Sequence, residues 1–415
     1  MNRVAVVGAG VTGLATAWFL QEHDVDVTVF DRTGVAAGAS WGNAGLVVPA
    51  LTAPLPAPGV LTFGLRALLN PASPVSVSPR PDPELLRFLT GFARHSSQRR
   101  WAAGARTFVP LDRLALEAFD QLAAGGAGTD GAGGRAGPLI AAYRTERERD
   151  VLLAELDHLR AAGREPAFDL LTGDEARAAA PALSGAVGAA VRLHAQRHVD
   201  PGRFVHALAA SVTARGGTVR TGVESAAVTA VADTGADVEV RIPSGTEPYD
   251  AVVLATGAAL GRLARRFGVR RVVMAGRGYS CSVPVDPLPA TPLYFPAARV
   301  ACTPIGGRLR LAGMMEFRRI DAPPDARRVR AVADAVRPLL TGADVDDQRD
   351  VWVGARPCTP DGLPLVGATR SPRVFVTGGH GMWGVTLGPA TGRLLAERIV
   401  TGRLPPELAP FDPLR

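Results

Sequence analysis

The sequence predicts an α/β protein in which one parallel sheet is assembled from the start, the middle and the end of the chain, with an α+β part inserted between these pieces. Short apolar strands that run into glycine-containing turns are predicted at Val4–Val7, Ala251–Leu254 and Val374–Thr377. Segments rich in strands and helices fill the intervals between them. The length of 415 residues and the hydrophobic share of 47% also favour two domains with separate cores.

The first of these strands leads into a glycine-rich turn, Gly8–Gly13, which is followed by a helix and a second strand. Gly8 would allow the tight turn, Gly10 would let backbone N–H groups approach a pyrophosphate, and Gly13 would let helix and strand pack closely. The second strand ends on Asp31, 23 residues after Gly8, about where a carboxylate meets a ribose hydroxyl. This context predicts a Rossmann-like dinucleotide site, but the motif does not separate FAD from NAD(P).

Two further segments are candidates for nucleotide contacts. The loop Ala39–Gly45 leaves the carboxyl end of the predicted sheet, where its backbone N–H groups and Ser40 could contact a pyrophosphate or a flavin. A plain surface turn is the alternative for this loop. The apolar strand Ala251–Leu254 runs into Thr256-Gly257, a second place where the backbone would come close to the nucleotide.

Composition excludes several classes of protein. No run of about 18 apolar residues is present, so no spanning helix is expected. A cleavable signal peptide would remove the nucleotide-binding strand, and we therefore expect none. Three cysteines, Cys281, Cys302 and Cys358, are too few and too scattered for a disulfide framework or a zinc site, so no metal is expected and the predicted compartment is the cytoplasm.

Every basic side chain apart from histidine is arginine, because the sequence contains no lysine. A lysine Schiff base is therefore impossible, which excludes pyridoxal-phosphate chemistry. The net charge of +7 is spread along the chain, and its arginine-rich spots have no interleaved aromatic residues. This pattern favours a solvated surface over a nucleic-acid interface.

Local patterns predict the remaining elements. Proline-rich Ala50–Asp82 should be an irregular crossing segment, and Ala124–Gly137 a mobile loop of glycine and alanine. The predicted helices are Leu85–Ala123, Arg144–Ala162, Arg203–Arg215 and Ala326–Leu340. The predicted strands are Leu139–Tyr143, Thr218–Arg220, Val223–Ala232, Val238–Ile242, Val269–Val283, Leu293–Cys302, Arg308–Phe317 and Asp350–Pro357.

With these segments placed, the chain resembles the D-amino-acid oxidase superfamily of flavoenzymes, and within it the bacterial D-amino-acid dehydrogenases. The resemblance covers nearly the whole chain in the right order. Four stretches carry it: Gly8–Gly13 with Asp31, Ala39–Gly45, Trp352–Pro364 (WVGARPCTPDGLP), and Thr377–Gly392, which begins TGGHG. Gly278-Tyr279-Ser280 and Gly313–Phe317 also look like strands of that family's substrate domain.

The resemblance implies non-covalent FAD, held by a discontinuous Rossmann-like domain of residues 1–70, 195–265 and 350–415. The substrate domain, on a mixed or antiparallel sheet, would comprise residues 71–194 and 266–349. Backbone N–H groups of the carboxy-terminal glycine loop would stabilise charge on the reduced flavin pyrimidine. The cofactor-binding residues implied are Gly8, Gly10, Val11, Thr12, Gly13, Asp31, Arg32, Ala39, Ser40, Asn43, Ala44, Gly45, Val223, Thr256, Gly257, Gly381, Met382, Trp383, Gly384, Val385 and Thr386.

The resemblance also implies the substrate-binding residues. Arg356 corresponds to the arginine that grips the substrate carboxylate, which a planar, permanently charged fork does well. Tyr279 would sit over the pocket, or be a core tyrosine. His380 would border the flavin loop, or only orient its backbone. For Arg277 and Glu316 we expect a solvated or indirect role rather than contact with substrate.

Two departures from the family pattern bear on mechanism. Some members attach flavin to a cysteine near the Thr-Pro-Asp turn, but Cys358 directly precedes Thr359 and Gly354 stands at the attachment position. The sarcosine-oxidase branch uses a lysine in its reaction with oxygen, and this chain has none. The first departure predicts non-covalent FAD. The second favours a dehydrogenase that passes electrons to a quinone or another carrier, although oxygen stays open as the acceptor.

The expected reaction is oxidation of a D-amino acid to the imine and then the 2-oxo acid, with hydride transfer from Cα to flavin N5. The alternatives are a glycine, hydroxyproline or sarcosine-like amine oxidase, a non-catalytic flavin-binding subunit, and an NAD(P)-dependent reductase. A quinone acceptor would imply peripheral contact with the inner face of the membrane. The apolar segment Leu51–Leu69 is a candidate for this contact, although we expect it to be buried in the protein instead.

Overall fold

The structure is a computed structural model that describes residues 1–58, 75–77, 82–128 and 134–415. Its strands are β1 (Arg3–Val7), β2 (Asp26–Asp31), β3 (Leu46–Val47), β4 (Val75–Val77), β5 (Arg135–Tyr143), β6 (Phe168–Thr172), β7 (Ala189–His198), β8 (Thr218–Thr221), β9 (Ala230–Asp233), β10 (Val238–Ile242), β11 (Gly245–Tyr249), β12 (Ala251–Leu254), β13 (Met274–Val283), β14 (Leu293–Phe295), β15 (Val300–Ile305), β16 (Arg308–Phe317), β17 (Arg349–Cys358), β18 (Leu365–Ala368) and β19 (Val374–Gly378). Its helices are α1 (Val11–Gln21), α2 (Pro83–His95), α3 (Gln98–Leu122), α4 (Glu146–Ala161), α5 (Gly173–Ala179), α6 (Pro201–Ala214), α7 (Val223–Ala226), α8 (Leu260–Ala264), α9 (Ala326–Val336) and α10 (Gly384–Thr401).

The first sheet contains six strands in the order β18-β19-β12-β1-β2-β8, all parallel except β18. The interiors of its central strands are mostly apolar, as expected for a parallel sheet that is covered on both faces. Val4 and Val6 of β1 face a core formed with α1, α3, α6 and α10. Ala5 and Val7 face a second core under the small antiparallel sheet β9–β11. The predicted sheet, drawn from the start, middle and end of the chain, is confirmed.

The second sheet has the strand order β17-β13-β16-β15-β14-β5-β7-β3, with β4 paired to β16 and β6 to β7. Its pairs are antiparallel except β5–β14 and β4–β16, so the predicted mixed sheet is also confirmed. Helix α9 covers one face of β13 and β16. The opposite face turns toward the first sheet and its loops, because Ser280 and Thr303 bond to the backbone of the loop Ala39–Gly45.

The connections between the two sheets occur where the chain runs through β3, β7 and β17. These strands belong to the second sheet. Strand β3 follows β2 of the first sheet, and the next strands after β7 and β17 are β8 and β18 of the first sheet. Of the predicted domain boundaries, that at residue 195 falls inside β7 and that at 350 falls at the start of β17. The domain limits therefore stay a prediction, while the sheet to which each strand belongs is observed.

Four predicted elements differ from the structure. The expected strand Val223–Ala232 begins instead as the short helix α7, because Gly222, with φ +111°, turns the chain after β8 and accepts a hydrogen bond from Ala226 N. The strand expected at Leu293–Cys302 is a hairpin, β14 and β15. Helix α9 ends at Val336, before a 3₁₀ turn that contains Pro338. Strand β13 starts at Met274, not at Val269.

The two expected irregular segments are described only in part. Residues 59–74 and 78–81 of the proline-rich crossing segment lie outside the described residues, as do 129–133 of the expected glycine-alanine loop. In the described part of that loop, Ala123–Ala127 form a π-helical turn and β5 begins at Arg135. Within the described ranges, none of the helices is both long and apolar enough to cross a membrane.

Candidate active site

The turn between β1 and α1 has the geometry of a phosphate-binding turn. Gly8 has φ +123°, and a Cβ at this position would lie 2.3 Å from the carbonyl oxygen of Ala255. A Cβ at Gly13 would lie 2.0 Å from the carbonyl oxygen of Gly8. At Gly10, only the Ser40 hydroxyl comes near, at 3.3 Å. The first and third glycines are therefore required for packing, and the second leaves the helix N-terminus open.

Two polar side chains meet at this turn. The backbone N–H of Val11, at the start of α1, donates to the Ser40 hydroxyl at 3.2 Å. The Asp31 carboxylate, at the end of β2, accepts from the N–H groups of Ala9 at 3.0 Å and Thr33 at 2.8 Å. The structure thus brings the predicted glycines, Ser40 and Asp31 to one edge of the first sheet, while the Arg32 side chain is exposed.

The loop Ala39–Gly45 is fixed by internal bonds and by the second sheet. Gly45 N donates to Asn43 Oδ1 at 2.7 Å, and Asn43 Nδ2 donates to the Ser40 carbonyl. The hydroxyls of Ser280 and Thr303 donate to the carbonyls of Gly42 and Ala44 at 2.7 and 2.6 Å. Sequence reasoning missed these two anchors, because an isolated hydroxyl residue inside a strand carries no signal of what it contacts.

The segment after β12 contains an unsatisfied polar atom. Thr256 Oγ1 is buried and has no hydrogen-bond partner among the described residues. Gly257 follows with φ +56°, and no atom lies within 4 Å of its Cβ position. Buried hydroxyls are usually bonded, so this one fits a site where a ligand supplies the partner. The predicted contact Val223 lies on α7 with an exposed side chain.

The carboxy-terminal glycine loop forms a 3₁₀ turn, Gly381–Trp383, that leads into α10. Gly381 has φ +56° and open space at its Cβ position. Trp383 Nε1 donates to the Ala53 carbonyl at 2.7 Å. The Thr386 hydroxyl donates to the Leu46 carbonyl at 3.2 Å and accepts from Val48 N at 3.3 Å. The loop and the start of α10 are therefore bonded to β3 and to the segment after it, with Met382 exposed and Val385 buried.

Arg356 lies on β17, on the face of the second sheet that turns toward these loops. Its guanidinium lies over Gly278 of β13, where a Cβ would come within 2.4 Å of the Arg356 Cζ. Nη1 donates to the Met314 carbonyl at 2.7 Å. Among the described residues no carboxylate lies within 4.0 Å of this guanidinium, and burial lowers its pKa. A partly buried, unpaired guanidinium is suited to an anionic ligand.

Tyr279 lies on the opposite face of β13, which corrects the prediction that it sits over the pocket. Gly276 and Gly278 pair with Arg356 and Gly354, so the alternating side chain of Tyr279 points toward the α9 core. Its hydroxyl donates to Glu316 Oε2 at 2.6 Å, and burial together with Glu316 raises the pKa of Tyr279 to about 12.

Glu316 is the centre of a buried charge cluster on the same face. Arg277, Arg318 and Arg328 place guanidinium nitrogens 3.2 to 3.6 Å from its carboxylate. Arg277 and Glu316 are 3% and 4% exposed, so neither is solvated. The cluster lies behind the bulge in β16 at Met314, whose φ is +66° and whose carbonyl binds Arg356. An indirect role of these two residues fits their position.

His380 is buried beside the glycine loop. Its Nε2 lies 3.0 Å from Thr391 Oγ1, which itself donates to the Gly388 carbonyl at 3.1 Å. Nε2 therefore carries the proton and donates to Thr391, while Nδ1 is buried without a partner among the described residues. Burial lowers the pKa of His380 to about 4, so the ring is neutral at pH 7.

Acidification should therefore weaken the fold through His380. Its pKa is about 4 in the folded state and 6.5 ordinarily, so the unfolded chain binds more protons between these values. The contribution of His380 to the free energy of unfolding is fully present above pH 6.5. It decreases by about 3 kcal/mol as the pH falls to 4. Denaturant unfolding across this range should show that loss in the native chain and not in His380→Gln. Exposed His23→Gln is the control, and an unchanged pH slope in His380→Gln would contradict the assignment.

The three cysteines lie in surroundings that disfavour covalent attachment of a flavin. Cys281, Cys302 and Cys358 are buried and unpaired. Burial raises the pKa of Cys281 to about 11 and that of Cys358 to about 12, and it raises that of Cys302 as well. Because the thiolate is the reactive form, none of the three thiols is activated.

Comparison with known proteins identifies the family to which this chain belongs. The profile described as "FAD dependent oxidoreductase", the DAO family, matches residues 3–398. The chain belongs to this DAO family of FAD-dependent oxidoreductases. A D-amino acid dehydrogenase of Cereibacter sphaeroides is 32% identical to this DAO-family chain over 414 residues, covering 97% of this chain and 92% of the relative. One from Agrobacterium fabrum is 30% identical and covers 97% and 96%.

Solved structures give the same fold for this DAO-family enzyme. Glycine oxidase from Geobacillus kaustophilus superposes with a TM-score of 0.73, at 25% identity, covering 100% of this chain and 99% of that one. L-amino acid deaminase from Proteus vulgaris superposes with a TM-score of 0.71, at 14% identity, covering 100% and 97%. FAD is the cofactor of the DAO family, which excludes the NAD(P) alternative that the glycine motif left open.

The residues present fit FAD. The open approach at Gly10, at the N-terminus of α1, suits a pyrophosphate, and Asp31 suits a ribose. The Thr256 hydroxyl, which has no partner among the described residues, suits a polar atom of the cofactor. The start of α10 offers backbone N–H groups behind the open Gly381. The individual contacts in this DAO-family chain stay predictions.

Proposed function

We propose that this enzyme oxidises a D-amino acid at its carbon–nitrogen bond and releases the 2-oxo acid and ammonia. The single observation that supports this most is the Arg356 guanidinium, which is partly buried, is held by the Met314 carbonyl and has no carboxylate partner among the described residues. A substrate carboxylate would pair with this guanidinium through two charge-assisted hydrogen bonds.

Arg356 would orient the substrate as well as bind it. Its strand ends at Cys358, which forms an isolated β-bridge with His380, the residue directly before the glycine loop at the start of α10. A carboxylate on Arg356 would therefore place Cα–H toward the cofactor site with little remaining freedom. When bound, FAD supplies the two-electron acceptor for the hydride that leaves Cα.

The protein need not supply a base for this reaction. His380 is neutral but directs its N–H to Thr391, and Tyr279 faces the other side of the sheet. The amine would bind as the free base, and its lone pair would form the C=N bond as hydride leaves Cα. Water then adds to the imine carbon and ammonia leaves, which yields the 2-oxo acid.

The substrate class is supported by relatives named D-amino acid dehydrogenase. A small amine substrate is the second candidate, supported by the similarity to a glycine oxidase. The electron acceptor we propose is a quinone or another carrier, because the chain has no lysine to assist oxygen. A quinone acceptor would entail peripheral membrane contact at the inner face.

The test is an anaerobic titration of the purified holoenzyme followed in the visible spectrum. A mixture of D-amino acids should bleach the flavin band, and the L-amino acids should leave it unchanged. Readmission of air then distinguishes an oxidase, whose band returns at once, from a dehydrogenase, whose band returns only after a quinone is added.

Two other outcomes would contradict the proposal. Bleaching by glycine or sarcosine alone would assign the enzyme to small or secondary amines. A flavin band that none of these compounds bleaches would favour a non-catalytic flavin-binding subunit.

A further inference from the structure

A second cleft lies between the N-terminus of α6 and the second sheet, at the end of β13 and β16 away from Arg356. Its volume is about 450 Å³, it is open to solvent, and it is lined by Trp41, Asp200, Arg308, Arg310 and Asp350 among others. Ser282 pairs with Arg310, whereas Gly276 pairs with Arg356. Six residues along β13 separate these positions, which corresponds to about 20 Å. The cleft is therefore distinct from the candidate active site.

Arg310 at the base of this cleft is a buried cation, and none of the described residues forms an ion pair with it. The residue is 5% exposed, and its Nε and Nη1 are buried without a hydrogen bond to the described residues. Its guanidinium lies 5.1 Å from the centre of the Trp41 ring. Neighbouring Arg308 is different, because Asp347 pairs with it at 3.1 Å. An unpaired buried guanidinium costs free energy, and a bound carboxylate would offset that cost.

Two carboxylates share the cleft with Arg310 without pairing with it. Asp200 caps α6, accepting from Arg203 N at 3.1 Å, and Asp350 is exposed at the start of β17. Both act on Arg310 electrostatically, yet neither lies within the 4.0 Å of an ion pair. The cleft thus presents a buried positive group and separate negative groups across a space that a small molecule can occupy.

We propose that this cleft is a second binding site for a small zwitterion of the α-amino-acid type, distinct from the active site. The carboxylate of the ligand would bind the Arg310 fork, and its ammonium would face Asp200 and Asp350. A simple anion would pair with Arg310 but would be repelled by the two carboxylates. A simple cation would be repelled by the Arg310 guanidinium. A molecule with both charges is the complementary ligand. This site does not depend on which amine the enzyme oxidises.

The test measures binding of radiolabelled glycine to the FAD-loaded protein by equilibrium dialysis, with Arg356→Gln as the parent so that the active-site carboxylate contact is removed. Glycine should bind one site per chain. Arg310→Gln added to this parent should weaken binding at least tenfold, and Asp350→Asn should also weaken it. Asn tolerates the left-handed backbone at residue 350, where φ is +50°, so the second variant keeps the fold. Exposed Arg403→Gln is the matched control and should bind as the parent does.

Competitors separate a zwitterion site from an anion site. Acetate and methylamine should each displace glycine at least tenfold less effectively than unlabelled glycine does. The proposal fails if glycine binds the parent and the Arg310→Gln variant equally, or if Asp350→Asn binds it as well as the parent. It also fails if acetate competes as well as glycine, because the cleft would then recognise only an anion.

Discussion

Replacement of Arg356 with glutamine should lower kcat/KM for the oxidised amine by about 10²- to 10⁴-fold while FAD stays bound. Each hydrogen bond between a guanidinium and a carboxylate contributes about 1.5–3 kcal/mol, and the Arg356 fork can make two of them. A loss of 1.4 kcal/mol is a tenfold change in rate. Glutamine keeps a donor for the Met314 carbonyl, so the strand should retain its conformation.

Anaerobic stopped-flow bleaching of the flavin band measures this effect in a single turnover. Arg356→Lys should retain more activity than Arg356→Gln, because it keeps the charge but loses the paired geometry. Arg403→Gln, on an exposed arginine after α10, should be unchanged. Native rates in Arg356→Gln would remove the carboxylate role from this residue, and loss of FAD in that variant would assign it to cofactor binding.

Substitution of Gly8 by alanine should abolish FAD binding and destabilise the protein by about 2–6 kcal/mol. The left-handed φ of +123° costs an L-residue about 1–3 kcal/mol, and the contact of 2.3 Å with the Ala255 carbonyl adds overpacking of about 1–3 kcal/mol. To relieve this contact, β1 would have to move away from the segment after β12. These two segments flank the turn that is predicted to bind FAD. Flavin content after purification and the free energy of unfolding measure the two effects.

Gly34 provides the matched control for this substitution. It lies in the same region, three residues after Asp31, and no atom lies within 4 Å of its Cβ position. Gly34→Ala should keep both flavin and stability. A Gly8→Ala protein that retains FAD would show that the turn relaxes without cost, which would contradict the role given to this glycine.

The first sheet was predictable from the sequence because its signals are local. Apolar strands followed by glycine turns identified β1, β12 and β19, and the acid at the end of β2 completed the nucleotide pattern. The spacing of Gly8 and Gly13 predicted close packing that is observed as contacts with backbone oxygens. These features depend on residues that are adjacent in sequence, so one sequence suffices to find them.

The second sheet was harder to predict, because the side on which a residue lies depends on register. Tyr279 and Gly278 are adjacent in sequence, but only Gly278 is next to Arg356, and the bulge at Met314 shifts the pairing nearby. The anchors Ser280 and Thr303 reach loop residues more than 200 positions away. No local pattern encodes such contacts, whose partners are fixed only when the sheets assemble.

The strand order of the first sheet also determines when during synthesis the nucleotide site can form. Strand β1 is made well before its neighbour β12, which ends at Leu254, and β12 in turn needs β19, which ends at Gly378. A nascent chain therefore carries an unpaired edge of a buried strand until β19 has left the ribosome. Such long-range pairing slows folding and exposes chains to aggregation. Shortening this chain before β19 would leave β12 in that exposed condition permanently.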